Sequence, residues 1–135
     1  MSFHYRIFQT PPLIVECFHG AIELSSLEMD LQRLWTDPLY DPQADGLAVL
    51  TGARLELRVE HIKELAEGVL SLPEASRGRW ALLVTEPVAT ALSFYLGRLV
   101  AERQSFEVFS TLDAAVKWLD VEPLLSEIDC TNWPS

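Results

Sequence analysis

The 135-residue chain is short of positive charge: ten Lys and Arg, eight of them Arg, stand against twenty Asp and Glu, for a formal net charge of −10. A nucleic-acid binder needs a cationic stripe that displaces counterions, and no run of the sequence supplies one. The same imbalance argues against electrostatic binding to an anionic membrane surface. It reads instead as a soluble, self-repelling surface. Long apolar runs are missing too. None approaches the ~20 residues that span a bilayer, and MSFHYRIFQTPP lacks the apolar stretch of a signal peptide. No stable membrane insertion is expected, and the location expected is cytoplasmic. Cysteine is scarce. Cys17 and Cys130 lie far apart in sequence and in no metal-ligand spacing. They do not make a disulfide scaffold, and they fit a reducing compartment.

Recognisable catalytic motifs are absent as well. There is no G-x-S-x-G elbow, no phosphate-binding loop and no G-x-G-x-x-G. His4, His19 and His61 are scattered, with no pair at i, i+4 on a helix. Cys17 and His19 share a strand face, but no third group is placed to orient the base. Asp37, Asp41 and Asp45 recur at four-residue spacing in a Pro-containing loop, where acidic residues form turns; the order does not match a calcium loop. No catalytic residue, metal site or cofactor is therefore expected.

What is present is ordinary globular material, 49% apolar and 22% charged, in a length that suits one domain with its own core. Residues 3–9 alternate as a half-buried edge strand. Thr10-Pro11-Pro12 breaks it, and Leu13 to Phe18 form a second strand ending at His19-Gly20, so a hairpin is expected. Ser25 and Glu28 have capping-box spacing, and Leu24 and Met29 are placed for a hydrophobic staple. Leu27, Leu31, Leu34 and Trp35 mark the face of the first helix, which stops before Pro38. Leu47 to Leu50 read as a strand buried on both faces, after which Thr51-Gly52-Ala53-Arg54 turns the chain away.

A second helix spans about Arg58 to Leu70, with Val59, Ile62, Ala66 and Val69 inward. Pro73 to Gly78 reads as a loop. Trp80 to Val84, the most apolar strand, is expected at the centre of the sheet. The third helix starts at Glu86-Pro87 and runs to about Arg103, with Val88, Leu92, Tyr95 and Leu99 on one face. Phe106 to Phe109 is the last strand. Ser110 or Thr111 caps a final helix that turns Leu112, Ala115, Val116 and Leu119 inward. The order β-β-α-β-α-β-α-β-α predicts an α/β fold with a single mixed sheet, parallel in its later strands. Residues 1–121 form the domain and 122–135 a C-terminal tail that either frays or docks.

Several stretches resemble the STAS-like domains and, within them, the SpoIIAA-like group. They are PPLIVECFHG, TDPLYDPQADG before LAVL, WALLVTEP and, most of all, SFEVFSTLDAAVKWL; the resemblance covers roughly residues 3–120. It implies a non-enzymatic protein-interaction or regulatory module. In the anti-sigma-factor antagonists of that superfamily, a serine at the start of the helix after the third strand is phosphorylated to control partner exchange. Here that region reads Thr51-Gly52-Ala53-Arg54-Leu55-Glu56-Leu57, with no serine between Ser26 and Ser71, so the usual phosphorylatable serine is lacking. The group also resembles lipid-carrying Sec14-type domains, which implies an alternative: a small carrier of an apolar or amphipathic ligand.

Topology suggests where to look. Ligands of open α/β sheets bind beyond the carboxyl ends of the parallel strands, which places Thr51, Arg54, Thr85, Thr90, Ser110 and Thr111 at the edge of a candidate ligand or partner site. Helix N-termini there offer free N–H groups, and Thr85, Thr90 and Arg54 are suited to an anionic group. Phe94 lies off the inner stripe of the third helix with Tyr95 beside it, a candidate interface for a homodimer or another protein partner.

Overall fold

The alternation of the opening residues closes as an antiparallel hairpin. β1 (Ser2–Gln9) pairs with β2 (Pro12–Ile22) from Ser2 opposite His19 to Gln9 opposite Pro12. The turn contains a cis Thr10-Pro11 peptide bond. These elements come from a computed structural model, which describes residues 2–71 and 78–132. The remaining elements are α1 (Leu24–Trp35), β3 (Gly46–Leu55), α2 (Val59–Ser71), β4 (Trp80–Leu83), α3 (Pro87–Leu99), β5 (Phe106–Phe109) and α4 (Leu112–Leu119). Two 3-10 turns, Glu122–Glu127 and Cys130–Asn132, follow. Residues 73–77 of the expected loop and the Trp133-Pro134-Ser135 terminus lie outside the described residues.

The sheet order is β1-β2-β3-β4-β5. Among the described residues, only the β1–β2 pair is antiparallel, and every later pair is parallel. The fold is thus the single mixed α/β sheet predicted, with β1 at one edge and β5 at the other. β3, not β4, occupies the middle. β4 is buried along its whole length because helices cover both of its faces, not because it is central.

The strand order has a direct physical consequence. Each crossover from β2 to β5 steps the same way across the sheet, and right-handed connections that never reverse put all their helices on one face. On that face Ile14, Phe18, Ala48, Trp80 and Leu82 form one core with Leu27, Leu34, Ile62, Leu65 and Leu92 of α1, α2 and α3. The opposite face carries Leu13, Val15, Leu47, Ala81 and Leu83, covered by α4 and by Val121, Leu124 and Ile128 of the C-terminal stretch. Those residues dock, at least as far as the second 3-10 turn.

Several local expectations are corrected. β2 and β3 do not end at Gly20 and Leu50. They run on together as a two-stranded ribbon, with His19 opposite Gly52 and Ala21 opposite Arg54, past a register shift between Cys17 and His19. Gly20 takes φ of 82° there, a left-handed geometry that glycine adopts without a Cβ clash. Thr51-Gly52-Ala53-Arg54 is therefore strand, not a turn. Because β2 reaches Ile22, α1 starts at Leu24 with Glu23 as its cap residue, and no side chain caps it. Ser25 lies inside the helix, so the capping box does not form, and Met29 is 73% exposed, so the staple does not either.

In α2, Val59 is the first helical residue and is exposed; Leu65 takes its place beside Ile62 and Ala66. In α3 the buried residues are Ala89, Leu92 and Ser93, while Val88 is exposed. The stripe is rotated because it includes a serine, which polarity alone assigns to the outside. Cys17 and Cys130 form a disulfide across 113 positions, so the two cysteines give no support for a reducing compartment. No described helix is long and apolar enough to cross a membrane.

Candidate ligand cavity

Strand alternation sorts the residues of β2 between the two faces. Leu13, Val15 and Cys17 face α4, whereas Ile14, Glu16 and Phe18 face α1, α2 and α3. On the second face the strand presents a carboxylate where the pattern calls for a hydrophobe. Glu16 is 4% exposed. It lines a cavity of about 130 Å3 between the sheet and the three helices. The floor is Phe18, Ala48, Trp80, Leu82 and Phe106; the helices add Leu27, Leu31, Trp35, Ile62, Leu65, Leu92 and Leu96. Leu31, Trp35, Leu50, Val69 and Leu96 are only half-buried, so the lining reaches the surface at its edges.

Three polar side chains interrupt this wall: Glu16, Ser93 and Gln104, the buried polar residues of the core. Among the described residues no hydrogen bond or ion pair reaches the Glu16 carboxyl, and no Lys, Arg or His lines the cavity. Desolvation alone pushes the Glu16 pKa up to about 8, because a carboxylate without a partner is disfavoured in apolar surroundings. Tyr5 stands opposite Glu16 in the hairpin register, yet its hydroxyl donates to the Asp37 carboxylate at 2.5 Å. Burial first, and then that bond, raise the Tyr5 pKa. The same bond, with the Leu39 amide, lowers that of Asp37.

Two features hold the floor in place. Gly46 lies so close to the Trp80 indole that a Cβ there would fall 2.3 Å from the ring; glycine is needed for that approach. Arg79, next to Trp80, donates to both Asp45 oxygens and to the Trp118 and Leu119 carbonyls. The third helix is fixed by its own start, where the Glu86 carboxylate accepts from the Val88 and Ala89 amides at 3.0 and 2.8 Å.

The residues singled out at the carboxyl ends of the strands are not brought together. Thr51 lies in a second hollow of about 410 Å3 with His19, Gly52, Asp129 and Thr131, against the disulfide. This hollow is the larger of the two, but Thr51, Gly52, Asp129 and Thr131 in its lining are exposed, and Asp129 is engaged by the Thr131 amide and hydroxyl. Arg54 is exposed on the ribbon and paired with Glu56 at 3.5 Å. Thr90 donates its hydroxyl to the Glu86 carbonyl, and the Glu86 side chain already occupies the start of α3. Thr111 caps α4 by accepting from the Ala114 amide. Thr85 and Ser110 are exposed at the strand ends. Phe94 is 57% exposed, while Tyr95 packs against the core. In the acidic loop, Asp41 accepts from the Gln43 amide and Asp37 from the Leu39 amide, as turn formers do. His61 caps α2 by accepting from the Arg58 amide.

Glu16 itself escapes a reading that treats Leu13–Phe18 as one apolar run. The signal is visible in PPLIVECFHG: a lone acidic residue inside a strand otherwise built for burial.

The hairpin, the parallel strands stepping one way and the helices between them define a SpoIIAA-like α/β fold. A solved structure from Shewanella loihica PV-4, described as an uncharacterised protein of the DUF3478 family with a SpoIIAA-like fold, superposes with a TM-score of 0.56. The two chains are 12% identical, over 87% of this chain and 92% of that one. No protein-family model matches the sequence, and no curated protein does.

Proposed function

We propose that this chain is a small-molecule-binding module that holds an apolar or amphipathic ligand between the sheet and α1, α2 and α3. The cavity carries this reading: about 130 Å3 of space, walled by apolar side chains and broken by a buried carboxyl. Ligand sites have this make-up, an apolar lining with a few placed polar groups. An apolar cavity of ~150 Å3 takes a benzene ring, so the occupant is of one-ring size in its buried part; a lipid-like tail would extend beyond it.

The other reading, a protein-interaction or regulatory module, draws on the SpoIIAA-like fold and on the exposed Phe94 of α3. One exposed aromatic is a weaker basis than a walled cavity, since single apolar side chains are common on surfaces. Native mass spectrometry of gently purified protein, repeated after denaturation, separates the two. Extra mass that leaves on denaturation supports a carrier and gives the ligand's mass. A bare dimer turns the search toward protein partners, and a bare monomer counts against the homodimer as well.

A further inference from the structure

The occupant's chemistry can be narrowed from the charges around the cavity; this step rests on the reading of the cavity as a ligand site. Glu16 is an acidic side chain in an apolar wall, with no cation to pair with among the described residues that line the cavity. An anionic ligand would find no cation among the described lining residues, only the neutral Ser93 and Gln104 beside that carboxyl. A neutral ligand would gain a hydrogen bond. A cation would supply the missing partner. Phe18, Trp35, Trp80 and Phe106 also line the space, and aromatic faces attract cations. The net charge of −10 raises the local concentration of cations and lowers that of anions.

We propose that the cavity takes a small apolar amine in its ammonium form, with Glu16 as the counter-ion and the aromatic rings as walls. The proton balance follows from the empty state. Near neutral pH the Glu16 carboxyl holds its proton, and the amine arrives from solution already as ammonium. Pairing leaves an ammonium–carboxylate contact and sends the carboxyl proton to the buffer. Binding therefore releases up to roughly one proton per ligand. Two charges buried together are worth having only when well paired, so the ammonium must sit in direct contact with the Glu16 carboxylate.

The test uses benzylamine, benzyl alcohol and benzoate, which share a ring and differ in charge. Each is titrated into the full chain at pH 7, with affinity followed by NMR and proton release by calorimetry in buffers of different ionisation heat. Benzylamine is expected to bind with proton release and to bind E16Q at least tenfold more weakly. Benzyl alcohol should bind both proteins alike, and benzoate neither. A48L, which fills the cavity from the sheet, should abolish binding of every probe while leaving the charge of the site in place. Benzylamine binding to E16Q as tightly as to wild type, or without proton release, overturns the amine assignment. Retained benzyl alcohol binding would then leave the ligand-site reading standing. Failure of all three probes on wild type brings down both.

Discussion

Replacing Glu16 by Gln tests the cavity wall through stability alone. Gln has the shape of the protonated carboxyl and cannot ionise. The Glu16 pKa is about 8 in the folded chain against 4.5 for the ordinary group. Between those pH values the folded chain keeps a proton that the unfolded chain has lost. The raised pKa therefore contributes stability that is fully present below pH 4.5 and lost as pH rises through 8. Each unit of the gap is worth ~1.4 kcal/mol, so the whole span amounts to ~5 kcal/mol, a large fraction of the ~5–15 kcal/mol that holds a domain together. The assay is urea unfolding of wild type and E16Q from pH 5 to pH 9, followed by tryptophan fluorescence. Subtracting the two curves cancels every other titrating group. E16Q should match wild type near pH 5, gain on it by ~1.4 kcal/mol per unit, and stop gaining above pH 8. Parallel curves across that range would refute the burial of an unpaired carboxyl, and the ligand chemistry argued from it.

Three further outcomes follow from the packing. Cys130→Ala removes the bridge to Cys17, which spans 113 positions; a closure of that length is worth about 5 kcal/mol, and an unchanged urea midpoint would contradict it. Gly46→Ala places a Cβ against the Trp80 ring and should cost ~1–3 kcal/mol by overpacking, with a shift in tryptophan emission as the indole moves. Asp120 ends α4 at φ 58°, where a Cβ is a handicap, so Asp120→Gly should stabilise by about 1 kcal/mol, read as a rise in melting temperature.

Element order, sheet type and the edge position of β1 were legible because each rests on a local signal: alternation in residues 3–9, the Thr10-Pro11-Pro12 break, the Glu86-Pro87 helix start, and the Ser110-Thr111 pair that offered a cap for the last helix. What was not legible depended on partners distant in sequence. The continuation of β2 to Ile22 and of β3 to Leu55 is mutual, each strand extended by pairing with the other, and neither segment announces it alone. The Cys17–Cys130 bridge needs the C-terminal stretch to dock on the α4 face, which its weak periodicity does not reveal. The cavity hinges on Glu16 and Ser93, two residues whose polarity assigns them outward while strand and helix phase turn them in. The carboxyl-edge residues Thr51, Arg54, Thr85, Thr90, Ser110 and Thr111 were chosen by topology, which gives a region but not which side chains converge in it.

The disulfide also sets how the molecule would bear mechanical load. Residues 17 to 130 form a covalently closed ring, and a pull applied outside them passes through the sulfur–sulfur bond instead of through α2, β4 or α3. Among the described residues, the sheet structure lying ahead of the ring is β1 and the first half of β2, up to Glu16. Tension on that arm would peel β1 from β2 and then residues 12–16 of β2 from β3, like a zip opened from one edge, while the rest of the sheet stayed folded. The last residue such a pull frees before it meets the bridge is Glu16, the carboxyl of the cavity wall. Threading by an unfolding machine from that side would therefore open the cavity wall at Glu16 before it met the covalent stop.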